Sequence, residues 1–134
     1  MPLDVTILGG GMIVHDQILP SIYHLQRLGR VGDITIAASS TARLHDLVSD
    51  RFKQAFPGQT FTALPPLSEP AGKRHPEVWK DAVKSLKPRQ FVIVATPDEL
   101  HNDMVTFALE HDQHVLCVKP LVHRYEQARA IEKL

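Results

Sequence analysis

The chain has 134 residues, enough for one domain with a buried core and too few for two of ordinary size. Its 15 basic and 15 acidic residues cancel, which removes the net field that draws a protein to nucleic acid or to an anionic membrane surface. A lone cysteine, Cys117, rules out an internal disulfide and fits a reducing cytoplasm, the expected compartment, and no apolar run approaches the ~18 residues that span a bilayer.

The first strand is expected at Asp4–Leu8 and runs into Gly9, Gly10 and Gly11, with a helical pattern behind them at Ile13–Leu28. Glycines between a strand and a helix make a tight turn and let another molecule approach the backbone. The helix amino end behind them offers free N–H groups and a partial positive charge to a phosphate. Gly9 and Gly11 fit the first two places of a Gly-x-Gly-x-x-Gly dinucleotide fingerprint, whereas the third, which governs helix-to-strand packing, is Val14. A glycine turn with no ligand is the competing reading. Pro20 falls inside the helical pattern, so a kink or a late helix start is expected there.

The second strand is expected at Asp33–Ala38. A site that prefers NAD usually ends this strand in an acid that binds the adenosine ribose hydroxyls. Here Ala38 stands in that place, followed by Ser39, Ser40, Thr41 and Arg43, which can bind a 2′-phosphate. NADP is therefore favoured, with NAD open. Ser40 or Thr41 also suits the cap of the next helix, expected at Ala42–Phe56. A third, short strand is expected at Phe61–Ala63. The Pro-rich stretch Leu64–Trp79 reads as an extended surface loop in which Lys73, Arg74 and His75 are solvated, and Pro76 opens a helix over Glu77–Leu86.

The fourth strand, Phe91–Ala95, leads through Thr96 and Pro97 to a helix at Glu99–Glu110 that carries His101 in its first turn. The fifth, Val115–Val118, leads to Lys119 and Pro120, and a last helix is expected at Arg124–Lys133. Ligands of open α/β sheets gather at the carboxyl ends of the strands, so Ala95, Thr96, Pro97, Lys119 and Pro120 share one rim. The alternation of elements predicts an α/β, Rossmann-like, doubly wound parallel sheet of five strands in the order 3-2-1-4-5, helices on both faces. The eight histidines have no metal-ligand spacing. Tyr125 is followed by Arg129 where a short-chain dehydrogenase would have lysine, and no nucleophile elbow is present.

Three segments in order, "GGGMI" after the first strand, "ATPDELH" after the fourth and "VKP" after the fifth, resemble the amino-terminal domain of one oxidoreductase family. This is the glucose-fructose oxidoreductase, inositol dehydrogenase and rhizopine-catabolism family, and the likeness covers nearly the whole chain. It implies that Gly9, Gly11, Met12 and Ile13 line the cofactor's phosphates and that Ser39 and Arg43 lie near the adenosine ribose, with Ser40 beside them. Thr96, Pro97 and His101 would flank the nicotinamide. Lys119 would act catalytically by positioning the substrate hydroxyl, on a cis Lys119–Pro120 peptide. Val118 replaces the family's usual Glu, Val14 a small residue and Ala38 the common acid.

Members of the family continue into a second α/β domain that carries an Asp and His pair for acid–base chemistry and commonly forms the oligomer interface. Residues 1–134 are thus expected to be one NAD(P)-binding domain, inactive alone, of a dehydrogenase or reductase of a sugar, cyclitol or related polyol, with a homo-oligomer in prospect. The competing reading is a non-catalytic nucleotide-sensing or protein-interaction module on the same fold.

Overall fold

A computed structural model describes residues 1–134. Its strands β1 (Leu3–Leu8), β2 (Val31–Ala37), β3 (Thr62–Leu64), β4 (Phe91–Val94) and β5 (His114–Cys117) form one all-parallel sheet ordered β3-β2-β1-β4-β5. Class and strand order agree with the sequence-based expectation. The order reverses between β1 and β4, and this switch point is where an open sheet forms a crevice at its carboxyl edge. Bonds of the ladder type continue one residue past three strands: Ala38 N–H to Leu64 O at 2.9 Å, Ala95 N–H to Leu8 O at 2.8 Å and Val118 N–H to Val94 O at 3.0 Å. The strand ends expected at Ala38, Ala95 and Val118 reflect this continuation.

Alternation along the strands builds two cores. Val5, Ile7 and Ile93 pack with Leu19, Ile22, Tyr23 and Phe52, while Leu8, Val92 and Val94 pack with Ala82, Val83, Met104 and Val105. Helix α1 (Leu19–Arg27) follows β1. Helices α2 (Thr41–Asp46) and α3 (Asp50–Ala55) follow β2, α4 (Val78–Lys84) follows β3, α5 (His101–Glu110) follows β4 and α6 (Tyr125–Glu132) follows β5. Helices as short as α2, α3 and α4 are marginal by themselves. Their buried Leu44, Phe52 and Val83, each worth about 1.5–3 kcal/mol on burial, hold them to the sheet. No helix is long and apolar enough to cross a membrane.

Two helices depart from their expected extents. The single helix read over Ala42–Phe56 is broken in two, because Leu47 and Val48 donate tight three-residue bonds to Leu44 and His45. Ser49 then starts α3, its hydroxyl accepting from Phe52 N–H at 3.3 Å. The disturbance expected at Pro20 takes the form of a widened π-helical turn, Val14–Ile18, in which the Leu19 amide reaches back five residues to the Val14 carbonyl. Regular α geometry starts at Leu19, so Pro20 stands at the second position of α1, where a missing N–H costs least. Pro76 opens a turn ahead of α4, which itself begins at Val78.

Tyr23 is 3% exposed and packs edge-on to Phe52 at 6.0 Å between ring centres. Burial pushes its phenol from 10.0 up to about 12. In alkali the unfolded chain therefore loses this proton first. The associated stability is fully present below pH 10 and is lost as pH rises through 12, an effect of about 2–3 kcal/mol. Urea unfolding across that window is expected to show the loss in the wild type, and a shallower slope in Tyr23→Phe.

Candidate cofactor site

The glycine bend divides by cause. Gly9 has φ +116°, and a Cβ there would lie 2.3 Å from the Ala95 carbonyl oxygen, so contact between the ends of β1 and β4 demands glycine. A Cβ on Gly10 would press against the Arg43 Cβ at 3.1 Å, where α2 crosses the bend. Gly11 has neither reason: a Cβ would meet nothing within 4 Å. Its missing side chain keeps open a space that the protein does not fill.

That space is lined with donors. Gly9 N–H is used by the Ala37 carbonyl at 2.8 Å, but the amides of Gly10, Gly11, Met12 and Ile13 donate to no protein atom. They stand at the amino end of the helical stretch that leads into α1, where unpaired N–H groups and the backbone dipole favour an anion. The Val14 side chain is fully buried in the core, and Met12 is 75% exposed and lines the open space, so neither plugs it.

A cleft of about 880 Å³ runs from this bend along the carboxyl ends of the strands. Gly9, Gly11, Met12, Ser39, Ser40 and Arg43 line it on the β1–β2 side, and Ala95, Thr96 and Pro97 on the β4 side. Ser39 and Arg43 are exposed and Ser40 is 9% exposed. Ser40 holds the cap position of α2 without a capping bond, and the Thr41 hydroxyl donates to the Glu69 carbonyl at 3.0 Å, so neither side chain caps the helix. Arg43 forms no ion pair. Arg74 and His75, read from sequence as solvated, also line the cleft. A through-space bond puts them there, His75 N–H to Ser39 O at 2.7 Å, and nothing local in the sequence announces it.

At the other end of the rim, Thr96 donates its hydroxyl to Met104 Sδ at 3.3 Å. His101 does not line the cleft. It is fully buried behind it, Nδ1 2.6 Å from the Pro120 carbonyl and Nε2 2.9 Å from the Thr96 carbonyl. Both carbonyls can only accept, so whichever ring nitrogen carries hydrogen donates, and the ring, in contact with both, ties the loop after β5 to the loop after β4. Its place is that of a strut between the two loops, with both ring nitrogens engaged. The Lys119–Pro120 peptide is cis, as the resemblance implied, and Leu64–Pro65 is a second cis bond that sequence reasoning missed. Lys119 and Pro120 are exposed on the rim beyond the cleft lining, Lys119 without an ion pair, and Ile13 is 39% exposed beside the bend. Burial and then the Asp98 charge push the Cys117 thiol up to about 11, which leaves it protonated and unreactive at neutral pH.

Residues 3–134 match the model of the oxidoreductase family with an NAD-binding Rossmann fold, GFO_IDH_MocA. No curated protein is matched. Among solved structures, the chain is similar to KijD10, a 3-ketoreductase from Actinomadura kijaniata in complex with TDP-benzene and NADP, with 22% identity and a TM-score of 0.64 over 99% of this chain and 34% of that one. It is also similar to biliverdin reductase from Synechocystis sp. PCC 6803 in complex with biliverdin and NADP+, with 19% identity and a TM-score of 0.65 over 99% of this chain and 34% of that one. The chain thus spans about a third of the length of the structures it resembles. A bend with unpaired amides, a cleft at the strand switch point and a family match over nearly every residue agree, and the chain belongs to the Gfo/Idh/MocA family of oxidoreductases as an NAD(P)-binding Rossmann domain.

Proposed function

We propose that this chain is the cofactor-binding domain of an NADP-dependent dehydrogenase or reductase acting on a sugar, a cyclitol or a related polyol. One observation carries the reading: the four unpaired amides of Gly10 to Ile13 beside the open face of Gly11, a cradle with no use in the fold itself. The diphosphate lies on that cradle. Ala38 leaves the end of β2 without the carboxylate that would repel a 2′-phosphate, and Ser39 and Arg43 face the cleft there, which favours NADP over NAD. The NADP held by both solved neighbours supports the same choice.

When bound, the nicotinamide gives or takes the hydride. This chain orients it through Thr96 and Pro97 and keeps their loop in place through His101. Lys119, on the adjoining rim, hydrogen-bonds the substrate oxygen and steadies the charge that develops on it. Placing a substrate against the nicotinamide and moving the hydroxyl proton are tasks of a second, covering domain.

The chain's single tryptophan, Trp79, lines the cleft and reports its occupancy. Titration with NADPH is expected to quench Trp79 saturably and to raise Tm, with NADH binding at least about tenfold more weakly, the worth of one good charge-assisted contact. No fluorescence or thermal response to either cofactor at millimolar concentration would overturn the reading.

A further inference from the structure

The stretch from the end of β3 to α4 is fastened to the end of β2 and the start of α2 at three places. Ala38 N–H donates to Leu64 O at 2.9 Å, the Thr41 hydroxyl to Glu69 O at 3.0 Å and His75 N–H to Ser39 O at 2.7 Å. This fastening sets Arg74 and His75 in the cleft with Ser39 and Arg43. The neighbouring cations are disposed of differently. Lys73 is held by Glu69 at 3.2 Å, and the carboxylate of Glu77 is held by Lys80. Arg43 and Arg74 have no carboxylate partner at all. Two guanidinium groups that line one cleft without a carboxylate partner are both free to bind an anion there. His75 adds a second sign of an absent partner: its Nε2 is shielded from solvent and has no hydrogen-bond partner in the protein. Buried polar atoms in native proteins are nearly always satisfied, and this one gains a partner when the ring turns its Nε2 toward a ligand in the cleft.

We propose that Arg74 and His75 form a second arm of the site for the ribose 2′-phosphate, facing the arm made by Ser39 and Arg43. Cofactor choice is then set by two segments distant in sequence, the end of β2 and the loop before α4. Arg74 supplies a charge-assisted, fork-shaped contact to the phosphate oxygens and His75 Nε2 a single hydrogen bond. The inference rests on the reading of the chain as an NADP-binding domain, and the experiment separates the two.

Affinities for NADPH, NADH, 2′,5′-ADP and 5′-AMP are measured by Trp79 fluorescence for the wild type, Arg74→Ala, His75→Ala and Lys73→Ala. Arg74→Ala is expected to weaken NADPH and 2′,5′-ADP by about tenfold or more while NADH and 5′-AMP change less than about twofold. His75→Ala should lower the same ratio by a smaller factor, and Lys73→Ala should leave it unchanged. Arg74 and Lys73 are exposed, so unaltered melting curves serve as the check on folding. A wild type that binds none of the four overturns the cofactor reading itself. A wild type that binds, with Arg74→Ala weakening all four equally or none, leaves the cofactor reading standing and overturns the second arm. So does an effect of Lys73→Ala as large as that of Arg74→Ala.

Discussion

Gly9→Ala is expected to lower Tm by about 10 °C or more and to yield little folded protein, although the substitution adds one methyl group. Two costs combine. At φ +116° an L side chain is strained, by about 1–3 kcal/mol. The new Cβ would also sit 2.3 Å from the Ala95 carbonyl oxygen, which cannot swing aside, because the Ala95 amide is bonded to Leu8 at 2.8 Å. Relief requires the ends of β1 and β4 to part, and their separation disrupts the register Leu8↔Val94 at the centre of the sheet. Thermal melts of the variant and the wild type provide the measurement. A loss of under about 3 °C, below what one kcal/mol produces in a domain of this size, would contradict the packing described for the bend.

Gly11→Asp is expected to do the opposite: to leave the fold intact and remove cofactor binding. A Cβ at Gly11 meets nothing within 4 Å, and the residue does not have the positive φ that strains a side chain. The added carboxylate occupies the space over the free amides and repels a diphosphate. At an effective dielectric near 20, unit charges about 4 Å apart interact by about 4 kcal/mol, so a loss of 100-fold or more in NADPH affinity survives considerable screening. Melting curves superimposed on the wild type, together with a flat Trp79 titration, are the expected pair of results. The two glycines, two residues apart, thus separate folding from binding.

The sheet was legible because its information is local and redundant. Runs such as Phe91–Val94 have few polar residues, are bounded by turn residues and alternate with helical patterns, and parallel connections leave few permitted orders. The break between α2 and α3 was not, although its marker was visible: Ser49 followed by Asp50 is a helix start, and the apolar periodicity from Leu44 to Phe52 hid it. The open glycine bend was legible from Gly9 and Gly11, since the backbone chemistry of a strand–glycine–helix corner is written in three residues. Arg74 and His75 were read as solvated because their position comes from a bond to Ser39 across 36 residues of chain, which no window on the sequence contains. His101 was expected beside the nicotinamide and is buried behind the cleft wall, because spacing reports how far along a helix a residue stands and not which side chains close over it.

The central claim is that the bare amides of the glycine bend hold an anionic diphosphate. Backbone amide NMR spectra of the chain, recorded with and without NADPH, test it most directly. The account predicts that Gly10, Gly11, Met12 and Ile13 show the largest N–H shifts in the chain and that their exchange with solvent slows when the cofactor is present, while the Gly9 amide, already bonded to Ala37, moves far less. Saturable NADPH binding that leaves those four signals in place and shifts residues elsewhere would contradict it.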